Sequence, residues 1–273
     1  MPYAKVNGLQ IHYRDTGGDV FPLVLAHGFT GNSRNWALTA PALRDKFRLI
    51  SPDHRGHGLS DKPTEREDYV LDNLADDLYQ LLGGIGVEQC YLVGHSMGGM
   101  VAQMLTLTHP ELVRALVLVD TAAELPASLA ARERYEERQR LVRVVEERGM
   151  EAVFEEQLKA ADPRVRENPL FVRTWREQFL MTSPHAYIHG AHGMATRKSA
   201  IDRLGEIKAP TLIICGKKDD PFVEASHKMH ENIAGSELVI IPGAGHSPQI
   251  ETPAEFNRLL LGFLSRVQAG APV

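Results

Sequence analysis

No apolar run in this chain approaches the roughly 18 residues needed to cross a bilayer, and the opening Met1-Pro2-Tyr3-Ala4-Lys5 lacks the apolar stretch of a secretory signal. A membrane-spanning or exported protein is therefore not expected; a cytoplasmic one is. Cysteine is scarce. The two present, Cys90 and Cys215, both lie inside apolar runs, where a small thiol behaves as a buried hydrophobe rather than as half of a disulfide. Positive charge is not in excess: Lys and Arg total 30 against 35 Asp and Glu, a formal net charge of −5. With no clustered basic stretch, nothing offers nucleic-acid phosphates a positive face. What the chain does have, in 273 residues of which 43% are hydrophobic and 24% charged, is enough apolar surface for a large core without covalent staples. Its length suits one main domain with an insertion.

The stretch from Tyr3 to Thr16 alternates polar and apolar residues about Asn7-Gly8, a pair that tolerates positive φ and predicts a hairpin. Short β-rich runs then recur at Leu23 to Ala26, Arg48 to Ser51, Gln89 to Val93, Ala115 to Val119, Thr211 to Cys215 and Leu238 to Ile241. Helical patterns separate them at about Ser33 to Lys46, Asn73 to Leu82, Met97 to His109, Val223 to Ile233 and Pro253 to Val267. That alternation predicts an α/β fold: a mostly parallel sheet with helices on both faces. From 121 to 203 the rhythm breaks, and a charged helical segment from Ala127 to Arg148 predicts a helical insertion. Its interleaved Arg and Glu, including Arg134, Arg138 and Glu137, read as a salt-bridged solvent face. The expected division is 1–120 and 204–273 for the core and 121–203 for the insertion.

The chemistry lies in Cys90-Tyr91-Leu92-Val93-Gly94-His95-Ser96-Met97-Gly98-Gly99, a strand entering Gly-x-Ser-x-Gly and then a helix. Such a strand-turn-helix lifts a serine hydroxyl clear of the backbone, and side chains at Gly94 or Gly98 would collide with neighbouring chain. Ser96 is thus a candidate nucleophile. A serine hydroxyl attacks poorly at neutral pH unless a base takes its proton and an acid orients the base. On this architecture the partners follow in the order serine, acid, histidine, each after a strand. Two segments meet that condition: Cys215-Gly216-Lys217-Lys218-Asp219-Asp220 and Pro242-Gly243-Ala244-Gly245-His246. His246 is the candidate base, and Asp219 or Asp220 the candidate acid. A negative oxygen in the transition state needs preorganised donors. The N–H of Met97, at a helix start, is one candidate, and that of Phe29, in the loop after the first buried strand, the other.

These residues resemble the α/β-hydrolase superfamily, in the branch of small cofactor-free hydrolases with a helical cap between the sixth and seventh strands. The resemblance covers nearly the whole chain. It rests on His27-Gly28-Phe29, Asp53-His54-Arg55-Gly56-His57-Gly58-Leu59-Ser60, Gly94-His95-Ser96-Met97-Gly98-Gly99, Gly216-Lys217-Lys218-Asp219 and Gly245-His246. It implies an oxyanion loop at 27–29, a bracing role for Asp53, Arg55 and Gly56, and, because the family's acid usually stands three residues after the glycine, Asp219 rather than Asp220. Ser96 sets the chain apart from relatives with an aspartate nucleophile, the epoxide hydrolases and haloalkane dehalogenases. Serine relatives include carboxylesterases, enol-lactonases, perhydrolases and carbon-carbon hydrolases of ring-cleavage diketones. The last group usually has Asn before the nucleophile and Trp after the histidine, where this chain has His95 and Ser247. The expected function is hydrolysis of small esters or lactones, with a small ester-like molecule as partner and no metal or organic cofactor.

Two rival readings arise from the residues. His185, His189 and His192 fall on one face of a helix, a spacing that can hold zinc, although Gly190 and Gly193 interrupt it and no carboxylate shares the turns. A ligand-binding receptor on the same fold, with slow turnover, would carry the same residues. Candidate pocket walls are Phe29, Trp175, Phe179, Met181, Tyr187 and Met194, each of which helical spacing also allows in a core.

Overall fold

The computed structural model describes residues 2–125, 128–161 and 163–270. Eight strands form one sheet: β1 Tyr3–Val6, β2 Leu9–Asp15, β3 Pro22–Ala26, β4 Arg48–Pro52, β5 Cys90–His95, β6 Val113–Val119, β7 Thr211–Gly216 and β8 Glu237–Ile241. Their spatial order is β1-β2-β4-β3-β5-β6-β7-β8. The first two strands pair antiparallel, as do β2 and β4, and every later pairing is parallel. The turn between β1 and β2 has Asn7 at φ 50° and Gly8 at φ 83°, the two positive values that match a hairpin turn to the twist of its strands.

Among the described residues there are ten α-helices: α1 Ala40–Leu43, α2 Leu71–Gly84, α3 Met97–Thr108, α4 Leu129–Ala160, α5 Pro163–Arg166, α6 Pro169–Phe179, α7 Pro184–Thr196, α8 Asp220–Asn232, α9 Pro248–Glu251 and α10 Pro253–Gln268. Successive side chains of a strand face opposite ways, so each parallel strand feeds two cores. In β6, Leu116 and Leu118 join Leu74, Leu78, Val101 and Leu105 from α2 and α3, whereas Ala115, Val117 and Val119 join Phe256, Leu260 and Phe263 from α10. A strand buried on both faces has no polar side to show. That is why these runs are continuously apolar instead of alternating.

One expected helix is not there. The segment from Ser33 to Lys46 forms a 3₁₀ turn at Ser33–Trp36 and then the four-residue α1. The side chains of Asn32 and Asn35 close a capping box over the first turn, and Pro41, in the first turn of α1, has no N–H with which to continue a ladder.

Between β6 and β7 there are only helices among the described residues. The helix expected from Ala127 starts at Leu129, Ala127 lying outside the described residues, and runs past Arg148 to Ala160 with a break at Gly149 (φ 79°, ψ 177°). Leu141, Val144, Val145, Met150, Val153 and Phe154 of α4 close a small core with Phe179 and Tyr187. No helix among the described residues is long and apolar enough to cross a membrane.

Candidate active site

The sharp turn between β5 and α3 places Ser96 at φ 52°, ψ −116°, a backbone state that costs a non-glycine residue roughly 1–3 kcal/mol and persists only where the surroundings enforce it. Enforcement is visible on both sides. The Ser96 N–H donates to the Val119 carbonyl at 2.9 Å, and the Thr121 hydroxyl donates to the Ser96 carbonyl at 2.7 Å. A Cβ on Gly94 would stand 2.4 Å from the Gly98 carbonyl oxygen, and one on Gly98 would stand 2.4 Å from that of Ala26. Both glycines are therefore required by close approach of backbone to backbone.

His246 lies in the loop after β8, and Glu251 fixes this loop on both sides of it: Gly245 N–H donates to Oε2 at 2.8 Å and Ser247 N–H to Oε1 at 2.9 Å. The His246 carbonyl accepts a 2.6 Å hydrogen bond from Nε2 of His95. Asp219 caps α8, its own N–H turned back to the Gly216 carbonyl at 3.1 Å. From three separate strand ends, the side chains meet. The His246 ring lies 3.0 Å from Ser96 Oγ through Nε2 and 2.5 Å from Asp219 Oδ2 through Nδ1. Asp219 is buried, while its neighbour Asp220 is exposed. Because a carboxylate only accepts, Nδ1 carries the proton and Nε2 is free to take one from the serine.

The loop after β3 lies against the elbow: a Cβ on Gly28 would meet Nδ1 of His95 at 2.7 Å and Cβ of Ser96 at 3.1 Å. His27 braces that loop, donating from Nδ1 to the Gly28 carbonyl and accepting the His54 N–H on Nε2. Met97 opens α3, so its N–H has no carbonyl partner within the helix. The Phe29 ring packs on Tyr187, 5.0 Å between centroids. Asp53 accepts from Ser33 N–H, Leu59 N–H and His12, and Arg55 binds Asp77 with two donors at 2.6 and 2.7 Å. These contacts hold the loops around the site.

Three features escaped the sequence. Arg134 and Arg138 do not belong to the solvated face read from the charge pattern, which describes Arg140 on Glu137 and Arg148 on Glu156. Arg134 donates from Nη1 to Asp219 Oδ1 at 2.7 Å, and the Arg138 guanidinium lies 5.5 Å over the Phe29 ring. A signal was present: Arg134, Arg138, Leu141 and Val145 follow helical spacing along the buried stripe of α4, so both arginines continue an inward face. The third feature is Asp120, after β6, at φ 42° and fully buried. Its Oδ1 accepts from Gly216 N–H at 3.0 Å and from the Cys215 thiol at 3.3 Å.

The charges act on one another. Burial alone would raise the Asp219 carboxyl, but the His246 ring and the Arg134 guanidinium outweigh it and bring the pKa down to about 2. Burial and then Arg134 lower the pKa of His246, against the opposing pull of Asp219. Burial, followed by the charge of Asp219, pushes Asp120 up to about 8, which favours its protonated form. Its folded pKa lies above its unfolded value of about 3.9. The native chain thus holds a proton that the unfolded chain releases. This group's stabilisation is complete below the unfolded value and is lost as pH rises toward the folded one. Asp120→Asn imitates the protonated acid, so thermal melts between about pH 5 and 8 should show a flatter decline of Tm than the native chain. Equal slopes for the two proteins would refute the protonated assignment.

Among the described residues, one set of three metal-capable side chains brings its ligand atoms within 4.8 Å of one another, namely Asp120, Asp219 and His246. Both Asp219 oxygens are already engaged, one by a guanidinium that opposes a second cation. His185, His189 and His192 form no such set. His189 faces the Tyr69 ring and His192 takes a donor from Arg66. Of the pocket-wall candidates, Trp175 and Phe179 pack on Phe154, and the Met181 sulfur faces Asn32. Phe29, Tyr187 and Met194 are the ones grouped about Arg138.

A family model for the alpha/beta hydrolase fold matches residues 22–253. The chain belongs to that family. A relative from Bacillus subtilis, provisionally named 2-succinyl-6-hydroxy-2,4-cyclohexadiene-1-carboxylate synthase, is 30% identical over 274 residues, covering 96% of this chain and 97% of its own length. Among solved structures, the enol-lactonase of Burkholderia xenovorans LB400 aligns with a TM-score of 0.86 and 26% identity, over 97% of this chain and 100% of its own. A thermophilic esterase from Thermogutta terrifontis aligns at 0.84 and 29% identity, over 98% and 99%. This chain is accordingly a hydrolase of the alpha/beta family.

Proposed function

We propose that this hydrolase cleaves small carboxylic esters or lactones through an acyl-enzyme on Ser96. The observation that carries the proposal is the single imidazole of His246 in contact with both the Ser96 hydroxyl and the Asp219 carboxylate. In this reading, Nε2 takes the hydroxyl proton as Oγ attacks the carbonyl carbon. Asp219 holds the tautomer and stabilises the imidazolium that forms. The tetrahedral oxygen is held by the N–H groups of Phe29 and Met97, the latter backed by the positive end of α3. The alcohol leaves with the proton from His246, and water repeats the sequence to release the acid. No step of this sequence needs a metal or organic cofactor. Helices α4 to α7, within 121–203, act as a lid that supplies the substrate-facing side chains.

Arg134 gives this reading a pH signature. By lowering the pKa of His246, after burial itself, it favours the neutral base. Activity falls when the base is protonated, so Arg134→Met should move the acidic limb of kcat/KM to higher pH. An unmoved limb would separate Arg134 from the base.

The decisive test offers the protein a series of methyl esters and lactones graded in acyl length, alongside a ring-cleavage diketone, with proton release followed by titration. Many turnovers on esters or lactones are expected. A preference for the diketone would favour carbon-carbon cleavage, and a stall near one turnover per site would favour a receptor.

A further inference from the structure

Around the Asp219–His246 pair three guanidiniums gather, and among the described residues Arg134 alone has a carboxylate in hydrogen-bond contact. Arg134 has Asp219 for a partner, at 2.7 Å. Arg138, half-buried, has no carboxylate partner among the described residues. Its Nη1 faces the sulfur of Met194 at 3.9 Å, a weak acceptor, and the ring of Phe29 lies beneath its plane. Arg197 donates to the carbonyls of Met194 and Glu124, its Nε is buried with nothing to bond, and the Glu124 carboxylate favours its charge. The Glu124 carboxylate is engaged by Lys228 at 3.1 Å. The three guanidiniums act on each other: Arg134 disfavours the charge of Arg138, and Arg138 that of Arg197 and of His246.

A guanidinium stays charged at neutral pH and offers five donors in a fixed fork. Drawn out of bulk water without an acid, Arg138 loses hydration that the Met194 sulfur and the Phe29 ring repay only in part, so its position is less stable than one with an apolar residue there. An anion would complete the arrangement. The fork of Arg138 lies over the side chain of Phe29, whose N–H belongs to the proposed oxyanion donors, which would put such an anion beside the proposed reaction centre.

We infer that the substrate carries a carboxylate, received by Arg138 with Arg197 behind it, so that the enzyme selects anionic over neutral esters. The inference rests on the ester-hydrolysis reading of this site and names its substrate class. A carboxylate is favoured over a bare inorganic anion because a planar two-oxygen acceptor matches the fork, and because the anion must be tethered to the scissile carbonyl to affect turnover.

Three methyl-ester-sized substrates separate the possibilities: monomethyl glutarate, with the carboxylate on the acyl side; carboxymethyl butanoate, with it on the alcohol side; and methyl pentanoate, with none. One of the two anionic esters should exceed methyl pentanoate in kcat/KM by about 100-fold, the scale of a buried charged hydrogen-bonded pair, and which one does so assigns the side. In Arg138→Gln that ratio should collapse toward one, and Arg138→Lys should restore part of it. Because the native arginine is unpaired, neither replacement should lower Tm. A ratio near one in the native enzyme, or one unchanged in Arg138→Gln, overturns the inference. Calorimetric titration of Ser96→Ala with glutarate gives a readout without catalysis: binding is expected, and its loss on adding Arg138→Gln. If glutarate binds but no ester is turned over, the ester reading fails and the carboxylate site stands. Should neutral and anionic esters be turned over alike while glutarate does not bind, the ester reading stands and this inference fails.

Discussion

Ser96→Ala should lower the turnover of a reactive ester by about a million-fold, the scale seen when the nucleophile of a serine hydrolase is removed. The size follows from what the hydroxyl does in the proposed reaction: without Oγ no acyl-enzyme can form, and the remaining N–H donors stabilise only the slow attack of water. Alanine is the appropriate replacement because it keeps a Cβ at the φ 52° turn, so the strain of the elbow is unchanged and the loss reads chemistry instead of unfolding. The check is paired. Steady-state turnover is measured beside a circular dichroism melt, and a fluorophosphonate probe that labels the native protein should leave the variant unlabelled by intact mass. Activity within about tenfold of native, with label still attached, would place the nucleophile elsewhere.

Asp219→Asn should cost about 10⁴-fold in kcat. An amide facing Nδ1 turns its oxygen or its NH₂ to the ring. With the NH₂ inward, the proton moves to Nε2 and the base can no longer accept from Ser96. The loss extends beyond the tautomer, since Arg134, which pairs with Asp219 at 2.7 Å, is left as an uncompensated charge beside an imidazole that must become positive. Burial already disfavours that positive form. Asp220→Asn, at an exposed position one residue along, is the matched control and should turn over close to native. Equal losses in the two variants would show damage to the start of α8, and a larger loss in Asp220→Asn would reassign the acid.

The two carboxyls near His246 illustrate what sequence reading could reach. Asp219 was reached through the family resemblance, in which the acid stands three residues after the glycine that ends a strand. Asp120 was not. It follows β6 as any loop residue might, and its position against Asp219 depends on β6 and β7 being neighbours in the sheet. Glu251 gave no signal either, since its grip on Gly245 and Ser247 is set by how α9 folds back on its own loop. The interrupted helix after Ser33 was misread because the capping side chains of Asn32 and Asn35 compete with a helical pattern that periodicity alone favours.

The insertion shows the same boundary from the other side. Its helical character was written in composition and spacing, but the direction of Arg134 and Arg138 depends on which face of α4 meets α7 and α8. Local sequence registers charge and period, not the partner a face will find.

From the order of residues alone came the alternation of buried strands and helices, the constrained elbow at Ser96 and the sequence of serine, acid and histidine along the chain. These depend on backbone sterics and hydrophobic period, which act over a few residues. The folded molecule alone decided that Asp120 lies buried beside Asp219, and that Arg134 from a distant helix pairs with that carboxylate. Those outcomes are set by electrostatics and packing between segments far apart in the chain, whose energies depend on distances that no stretch of sequence contains.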